Sequence, residues 1–426
     1  MPHTSATLRL PALGFGFLAL ALAGALLTHP VTPDRARLTA GTRTGEHAFR
    51  QLTTTSAFRN GTSEGVHISD GSLTISKPVG HLRHAGRTWA YSRWTSSWIA
   101  PGQSFTQLIP SWNTTTPSGT AVKVSARVRS SKGKLSHFKV MGWWATRDAG
   151  FRRTSGTTQR DGVAWANTDT LTASRGVSLT RYQLRVVAIR RPSSTPTPTV
   201  RSLQAVASRP VTALPATSRR LLHSRTLAVP RYSQMVHGGQ YRQYGGGGEA
   251  WCSPTSLSMV LGYYGALPSA SNYAWVNKAY ADPWVDHVAR VVYDYGYQGA
   301  GNWAFNTAYA ANLTTDAFVT RLKNLREAER FIAVGIPLVA SIAFSRGQLS
   351  GAPISSTRGH LVVIAGFTRT GDVVVNDPAA SSNSTVRRTY DRGQFEKAWL
   401  RKSSGTVYVV RDAAHPLPAR GSSRSW

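Results

Sequence analysis

Along the first half of the chain, apolar and polar positions alternate with a period of two. Val122, Val124, Ala126 and Val128 alternate with Lys123, Ser125 and Arg127. Tyr182, Leu184 and Val186 alternate with Gln183 and Arg185, and Ser72 to Ser76 follow the same pattern. Such a period belongs to strands with one face buried. Turn residues separate the runs, as in Ser131-Lys132-Gly133-Lys134. Several short strands with turns between them predict an antiparallel β-sandwich or jelly roll over residues 51–208, with no strong helix signal.

The period changes in the second half. Leu257, Val260, Leu261 and Tyr264 share one face of a predicted helix, with Pro254 in its first turn and Gly265 at its end. Helices are also expected from Pro283 through Val292 and from Leu325 to Val334, with a helical turn at Phe395–Leu400. Strands are expected at Pro337–Ile342, from His360 through Ile364, at Asp372–Val375 and at Val407–Val410. Helix first and antiparallel sheet later is an α+β arrangement. The 426 residues thus divide into several parts. These are a signal peptide (1–33), a linker (34–50), the β domain (51–208), a second linker (209–225), an α+β domain (226–412) and a loose polar tail (413–426). The signal peptide is read from the apolar stretch Leu10 to Leu27, its small alanines and the break at Thr28-His29-Pro30. An uncleaved membrane anchor is the alternative. Export implies a secreted or wall-associated protein.

The only cysteine, Cys252, falls where the first helix of the α+β domain should begin. A helix N-terminus favours an anion, and the thiolate is the reactive form of a thiol whose ordinary pKa is roughly 8.5. The bland reading is a small buried hydrophobe. A nucleophile needs a base and the base an orienting group. His360 opens a β-branched run, and Asp377 in Asn376-Asp377-Pro378 closes the next one. With Arg369–Asp372 as a hairpin turn, the two should lie side by side. Gln234, upstream in Val229-Pro230-Arg231-Tyr232-Ser233-Gln234, could place an amide beside the Cys252 N–H as an oxyanion donor. His237 and His287 stand apart and no cysteine pair exists, so no metal site or other cofactor is expected. Gly245 to Gly248 lack a following Lys-Ser/Thr and read as a flexible loop rather than a phosphate cradle.

The order Val-Pro-x-Tyr-x-Gln, Cys-x-Pro with an apolar helix ending Tyr263-Tyr264-Gly265, Gly-His-x-Val-Val and Asn-Asp-Pro resembles the papain-like peptidase family C39 and its relatives. The resemblance spans residues 226–412. It implies a papain-like cysteine peptidase with a triad of Cys252, His360 and Asp377, Gln234 in the oxyanion hole, and a peptide or protein substrate. Ser253 departs from the glycine common after the cysteine in that family. The chain has no transporter membrane domain and no nucleotide-binding domain, so the leader-peptide substrate of the transporter-linked enzymes does not carry over. The β domain resembles the accessory domain of some secreted actinobacterial peptidases of this type.

Charge adds a further expectation. The chain carries 50 Lys+Arg against 19 Asp+Glu, a net charge of +31. Residues 1–225 hold 30 of these bases and 7 of the acids, whereas residues 226–412 hold 18 and 12. A basic β domain would concentrate on polyanions such as anionic cell-wall polymers. Nucleic acid is not expected, since no nucleic-acid motif is present. Solubility is the alternative use of the charge. Seven tryptophans, Trp89, Trp94, Trp98, Trp112, Trp143, Trp144 and Trp165, are expected mostly in the core, with exposed ones able to stack on a sugar or peptide. Two other functions fit the same residues: acyl transfer to an amine through the same triad, and wall binding with a silent papain-like domain.

Overall fold

The computed structural model describes residues 46–426 except 149, 194–195, 211 and 222–223. The expected signal peptide lies outside the described residues. Among those residues, no helix is long and apolar enough to cross a membrane.

The alternating runs form two antiparallel sheets. One has eight strands and runs from Gln159–Arg160 through Ala164–Asn167, Thr170–Ala173, Gln107–Thr115 and Thr199–Arg209 to Ser72–Ile75 and Val66–Ser69; Glu46–Leu52 also pairs with Thr199–Arg209. The other has six, in the order Thr62–Glu64, Arg87–Thr95, Leu179–Arg190, Thr120–Ser130 and Lys139–Trp144, with Gly80–His84 on Arg87–Thr95. Val122, Val124, Ala126, Val128, Tyr182, Leu184 and Val186 all point into the core, as their period requires. Trp89, Trp94, Trp112 and Trp144 are fully buried, whereas Trp98, Trp143 and Trp165 are half-exposed.

The third sheet has seven antiparallel strands, ordered Asp316–Arg321, Thr406–Arg411, Leu338–Phe344, Thr357–Phe367, Val373–Asn376 and Arg387–Tyr390, with Arg225–Thr226 on Thr357–Phe367. Helices Cys252–Tyr263, Pro283–Val292, Trp303–Ala310, Leu325–Ala333 and Arg392–Ser403 accompany it. The short helix Thr55–Arg59 and the strands Arg225–Thr226 and Arg387–Tyr390 have no counterpart in the sequence pattern, nor do the strand Asp316–Arg321 and the helix Trp303–Ala310. The last two have a common reason. Both are buried along nearly their whole length, so they show no face periodicity to read.

Three segments expected to be loose are bound. The first strand, Glu46–Leu52, begins inside the stretch read as a linker (34–50) and pairs with Thr199–Arg209 over seven residues. In the second expected linker, the Ser218 N–H and hydroxyl both bond Glu396 at 2.7 Å, and the Leu221 N–H bonds Glu329 at 2.6 Å. In the tail, Trp426 is fully buried, 4.9 Å from the Phe331 ring centroid, and its indole N–H donates to the Pro418 carbonyl at 2.9 Å. The Arg424 carbonyl accepts from the Phe49 N–H at 2.8 Å. The buried tryptophan docks the tail together with polar bonds, among them that of the Ser423 hydroxyl to Glu327 at 2.7 Å.

The two halves share polar bonds and a continuous core. Asp316 accepts from Gln51 and Asn113, the latter at 2.7 Å. Buried Arg153 donates to the carbonyls of Ala145, Arg290 and Tyr293, and Arg290 forms a two-pronged ion pair with Asp148 at 2.9 and 3.2 Å. Phe305 packs against Trp112 and Trp144.

Trp426→Ala is expected to lower unfolding stability by about 3 kcal/mol, the cost of emptying a closed aromatic site. Denaturant unfolding measures it; a change below about 0.5 kcal/mol, the size of a typical surface substitution, would mean that the tail is not held.

Candidate active site

Cys252 is the first residue of its helix, which runs to Tyr263. The preceding Trp251 is fully buried, and its indole N–H is pinned to the Tyr244 carbonyl at 2.7 Å. The first helical bond runs from the Thr255 N–H to the Trp251 carbonyl, so the donors ahead of it face the sulfur end of the helix. At the other end, Ala266 N–H bonds Leu261 O and Gly265 N–H bonds Gly262 O, with Gly265 at φ 64°; this closes the helix as a Schellman motif.

The sequence predicts one apolar face for this helix, yet residues 253–261 are buried all round. Its polar positions carry short hydroxyls that bond in place: Ser253 to the Tyr408 hydroxyl at 2.8 Å, Ser256 to the Leu361 carbonyl at 3.0 Å, and Ser258 to the Pro254 carbonyl at 2.8 Å. The Ser256 bond ties the cysteine helix to the residue after His360. Ser253, unusual beside the cysteine for the family it resembles, is held by the sheet through Tyr408.

His360 lies on the strand Thr357–Phe367, opposite Ile342, and is 3 % exposed. The expected hairpin is present: Val363 pairs with Asn376 and Phe367 with Val373. His360 Nε2 lies 2.7 Å from Asp377 Oδ1. The imidazole acts on the Cys252 thiol from its other side, and with Nε2 on Asp377 the nitrogen left to face the sulfur is Nδ1. Asp377 has no solvent exposure, and both its oxygens are bonded. Oδ1 also accepts from the Ala379 N–H at 3.0 Å, and Oδ2 accepts from the Tyr390 hydroxyl at 2.7 Å.

The neighbours of Asp377 hold the fourth residue. Asn376 donates to the Pro230 carbonyl at 2.8 Å, and the Pro378 carbonyl accepts from the Gln234 N–H at 2.8 Å. Gln234 starts a one-turn 3₁₀ helix, Gln234–His237, capped by the Ser233 hydroxyl. Its side-chain amide donates to the Glu249 carbonyl at 2.8 Å, three residues before Cys252, while its Oε1 is buried without a partner. The glycines before the cysteine take defined backbone angles rather than forming a flexible loop, and Gly248 is pressed against the Gln234 turn. Gly245, Gly246 and Gly247 have φ of 90°, 105° and 102°, and a Cβ on Gly248 would lie 2.3 Å from the Gln234 carbonyl.

Residues 226–407 match the sequence model of the Peptidase C39-like family, and residues 48–208 match that of the Peptidase C39 N-terminal domain. The chain carries a C39-like peptidase domain behind a C39 N-terminal domain. A comparison with curated proteins found no match.

Electrostatics in the C39-like domain favour charge separation between sulfur and ring. Burial pushes the Cys252 thiol up, but the hydrogen bond and charge of His360, with the Leu361 N–H, outweigh it and hold the thiol below its usual value. Burial pushes His360 down, but the charge and hydrogen bond of Asp377, then Cys252, raise it to about 10. Burial raises Asp377, and His360, Tyr390 and the Ala379 N–H together hold it below the ordinary range. The sequence reading did not pick out Tyr390, Ser256 or Tyr408. It also left His237 unpaired, whereas His237 Nδ1 meets buried Asp286 at 3.0 Å on the turn that carries Gln234.

The His360–Asp377 pair sets a pH window. The raised histidine contributes stability that is complete below its unfolded value near 6.5 and fades as pH climbs toward 10. The lowered aspartate contributes above its unfolded value near 3.8 and fades in acid. Wild type should therefore exceed His360→Gln in stability by most at pH 4–6.5, read by denaturant unfolding across pH. A difference independent of pH would rule out the coupled pair. Gly248→Ala should displace the Gln234 turn and destabilise the fold by about 1–3 kcal/mol, the usual range for overpacking.

Proposed function

We propose that the chain is an exported cysteine peptidase with a papain-like catalytic domain. The observation that carries this reading is the line Cys252–His360–Asp377: a thiol at a helix N-terminus, its ionisation favoured by an imidazole that meets a buried carboxylate at 2.7 Å. The seven-stranded sheet with the cysteine helix is taken as the papain-like core and the two N-terminal sheets as a sandwich. Leu10 to Leu27 would direct export.

In this mechanism His360 holds the thiol proton and Cys252 attacks the peptide carbonyl as the thiolate. The carbonyl oxygen becomes an oxyanion facing the Cys252 N–H and the Gln234 amide. That amide has a second N–H beyond the one given to Glu249. Collapse of the intermediate breaks the C–N bond, and the imidazolium passes its proton to the leaving amine. The acyl group stays on sulfur as a thioester. Water, deprotonated by His360, then attacks the thioester, and the released thiolate regains its imidazolium partner. Asp377, fixed by Tyr390 and the Ala379 N–H, keeps the ring in one tautomer throughout.

Iodoacetamide should alkylate Cys252 well below the free-thiol pKa of roughly 8.5, and His360→Ala should move the midpoint up to that value or above it. Equal profiles in both proteins would overturn the triad. Gln234→Ala should keep the alkylation profile yet cut kcat on a cleaved peptide by about 10²–10³-fold, the loss typical of one oxyanion donor. Products formed with and without an added amine distinguish hydrolysis from acyl transfer.

A further inference from the structure

The outer face of the six-stranded sheet gathers cations that the fold does not balance. Arg185 pairs with Thr95 on one side and Ser125 on the other. Two residues along the same strand, Val187 pairs with Arg93 and Lys123; two residues the other way, Gln183 pairs with Arg127. Positions two apart share a face, so Arg93, Lys123 and Arg127 surround Arg185 on one side of the sheet. All four are half-exposed. Among the described residues the one carboxylate paired with them is Glu64, bound to Arg93 Nε at 2.8 Å.

These cations are held in place. The Arg127 guanidinium lies over Trp98 and Phe138, 5.1 and 4.6 Å from the ring centroids. Arg185 lies over Phe138 at 3.7 Å, and Lys123 over Trp143 at 4.8 Å. Arg127 gives its Nε–H to Gln183 at 2.7 Å and Arg185 gives its own to Thr95 at 3.0 Å. Among the described residues, the terminal nitrogens of both have no hydrogen-bond partner. Burial, then the nearby charges of Arg185 and Arg93, pushes the Lys123 ammonium down; burial, then Arg93 and Arg127, does the same to Arg185. Like charges crowded on a partly desolvated face are a standing cost that a matching anion relieves, and guanidiniums pinned by rings and Nε bonds lose little freedom on binding.

We propose that this face binds an acidic polysaccharide, its carboxylates gripped by the terminal N–H pairs of Arg127 and Arg185 and by the Lys123 ammonium. A carboxylate matches the two-pronged guanidinium edge. Single-stranded nucleic acid fits less well, because it needs bare aromatic platforms for its bases. Here Phe138 and Trp98 carry guanidiniums, and Trp143 has Lys123 on its ring and stacks with His84 at 4.0 Å. The site is independent of the peptidase reading, since it shares no residue with it.

The test is binding of the full chain to polygalacturonate, dextran and single-stranded DNA over a range of salt. Wild type should bind polygalacturonate, more weakly as salt rises, and should ignore dextran. Arg127→Gln/Arg185→Gln should weaken binding by about tenfold or more, as expected for losing two charge-assisted contacts. Arg401→Gln/Lys402→Gln removes the same charge from an exposed stretch of the last helix and should leave affinity unchanged. Lys123→Gln, which spares both arginine–ring contacts, gives an independent reading if the double variant folds poorly, and should also weaken binding. Equal loss from the two charge pairs, no binding to polygalacturonate, or tighter binding of DNA through Arg127 and Arg185 would each overturn the proposal.

Discussion

A carboxylate sealed from water must be paired on every side, and Asp377 is such a group. Its partners are the His360 ring, the Tyr390 hydroxyl and the Ala379 N–H. Leaving any of these acceptor sites unfilled in a low-dielectric interior would be costly, so the surrounding chain is constrained to supply donors. The constraint fixes the geometry around it. Asn376 and Pro378, either side of Asp377, fasten the segment that ends in Gln234. One corner of chain therefore sets both the orientation of the imidazole and the position of the turn that carries Gln234.

The cysteine helix meets this corner through small hydroxyls. Ser256 bonds the carbonyl next to His360, and Ser253 bonds Tyr408 on another strand of the same sheet. Short side chains let a helix buried all round lie close to the sheet, and each hydroxyl finds an acceptor at once. The sulfur and the ring are thus related through two rigid elements rather than through a loop.

The N-terminal region is bound to the C39-like domain by more than a tether. Arg153 from one half is buried among carbonyls of the other, and Asp316 is enclosed by Gln51 and Asn113. A buried charge of this kind is strongly destabilising once a partner is removed, so the halves should hold one arrangement. Meanwhile the six-stranded sheet turns a basic face outward. Part of the charge asymmetry along the sequence is thereby gathered on one face of that sheet.

By itself the sequence determined the local features. Alternation at 122–128 and 182–186 marked strands and their buried faces. Pro254 and Gly265 marked the limits of a helix with Cys252 at its start, and the β-branched runs before and after Arg369–Asp372 marked a hairpin that brings His360 beside Asp377. These follow from periods and turn chemistry that act over a few residues. Only the tertiary structure decided what lies opposite. Tyr390 completes Asp377 from a different strand, and Trp426 seals a core from a polar tail. Helix Trp303–Ala310 is buried on nearly every side and so carries no period, and Gly248 is required by the close approach of the Gln234 carbonyl. A pattern along the chain records that a residue is buried or turned. It does not record its partner, because partners on other elements are chosen by packing and by the need to satisfy every buried polar group.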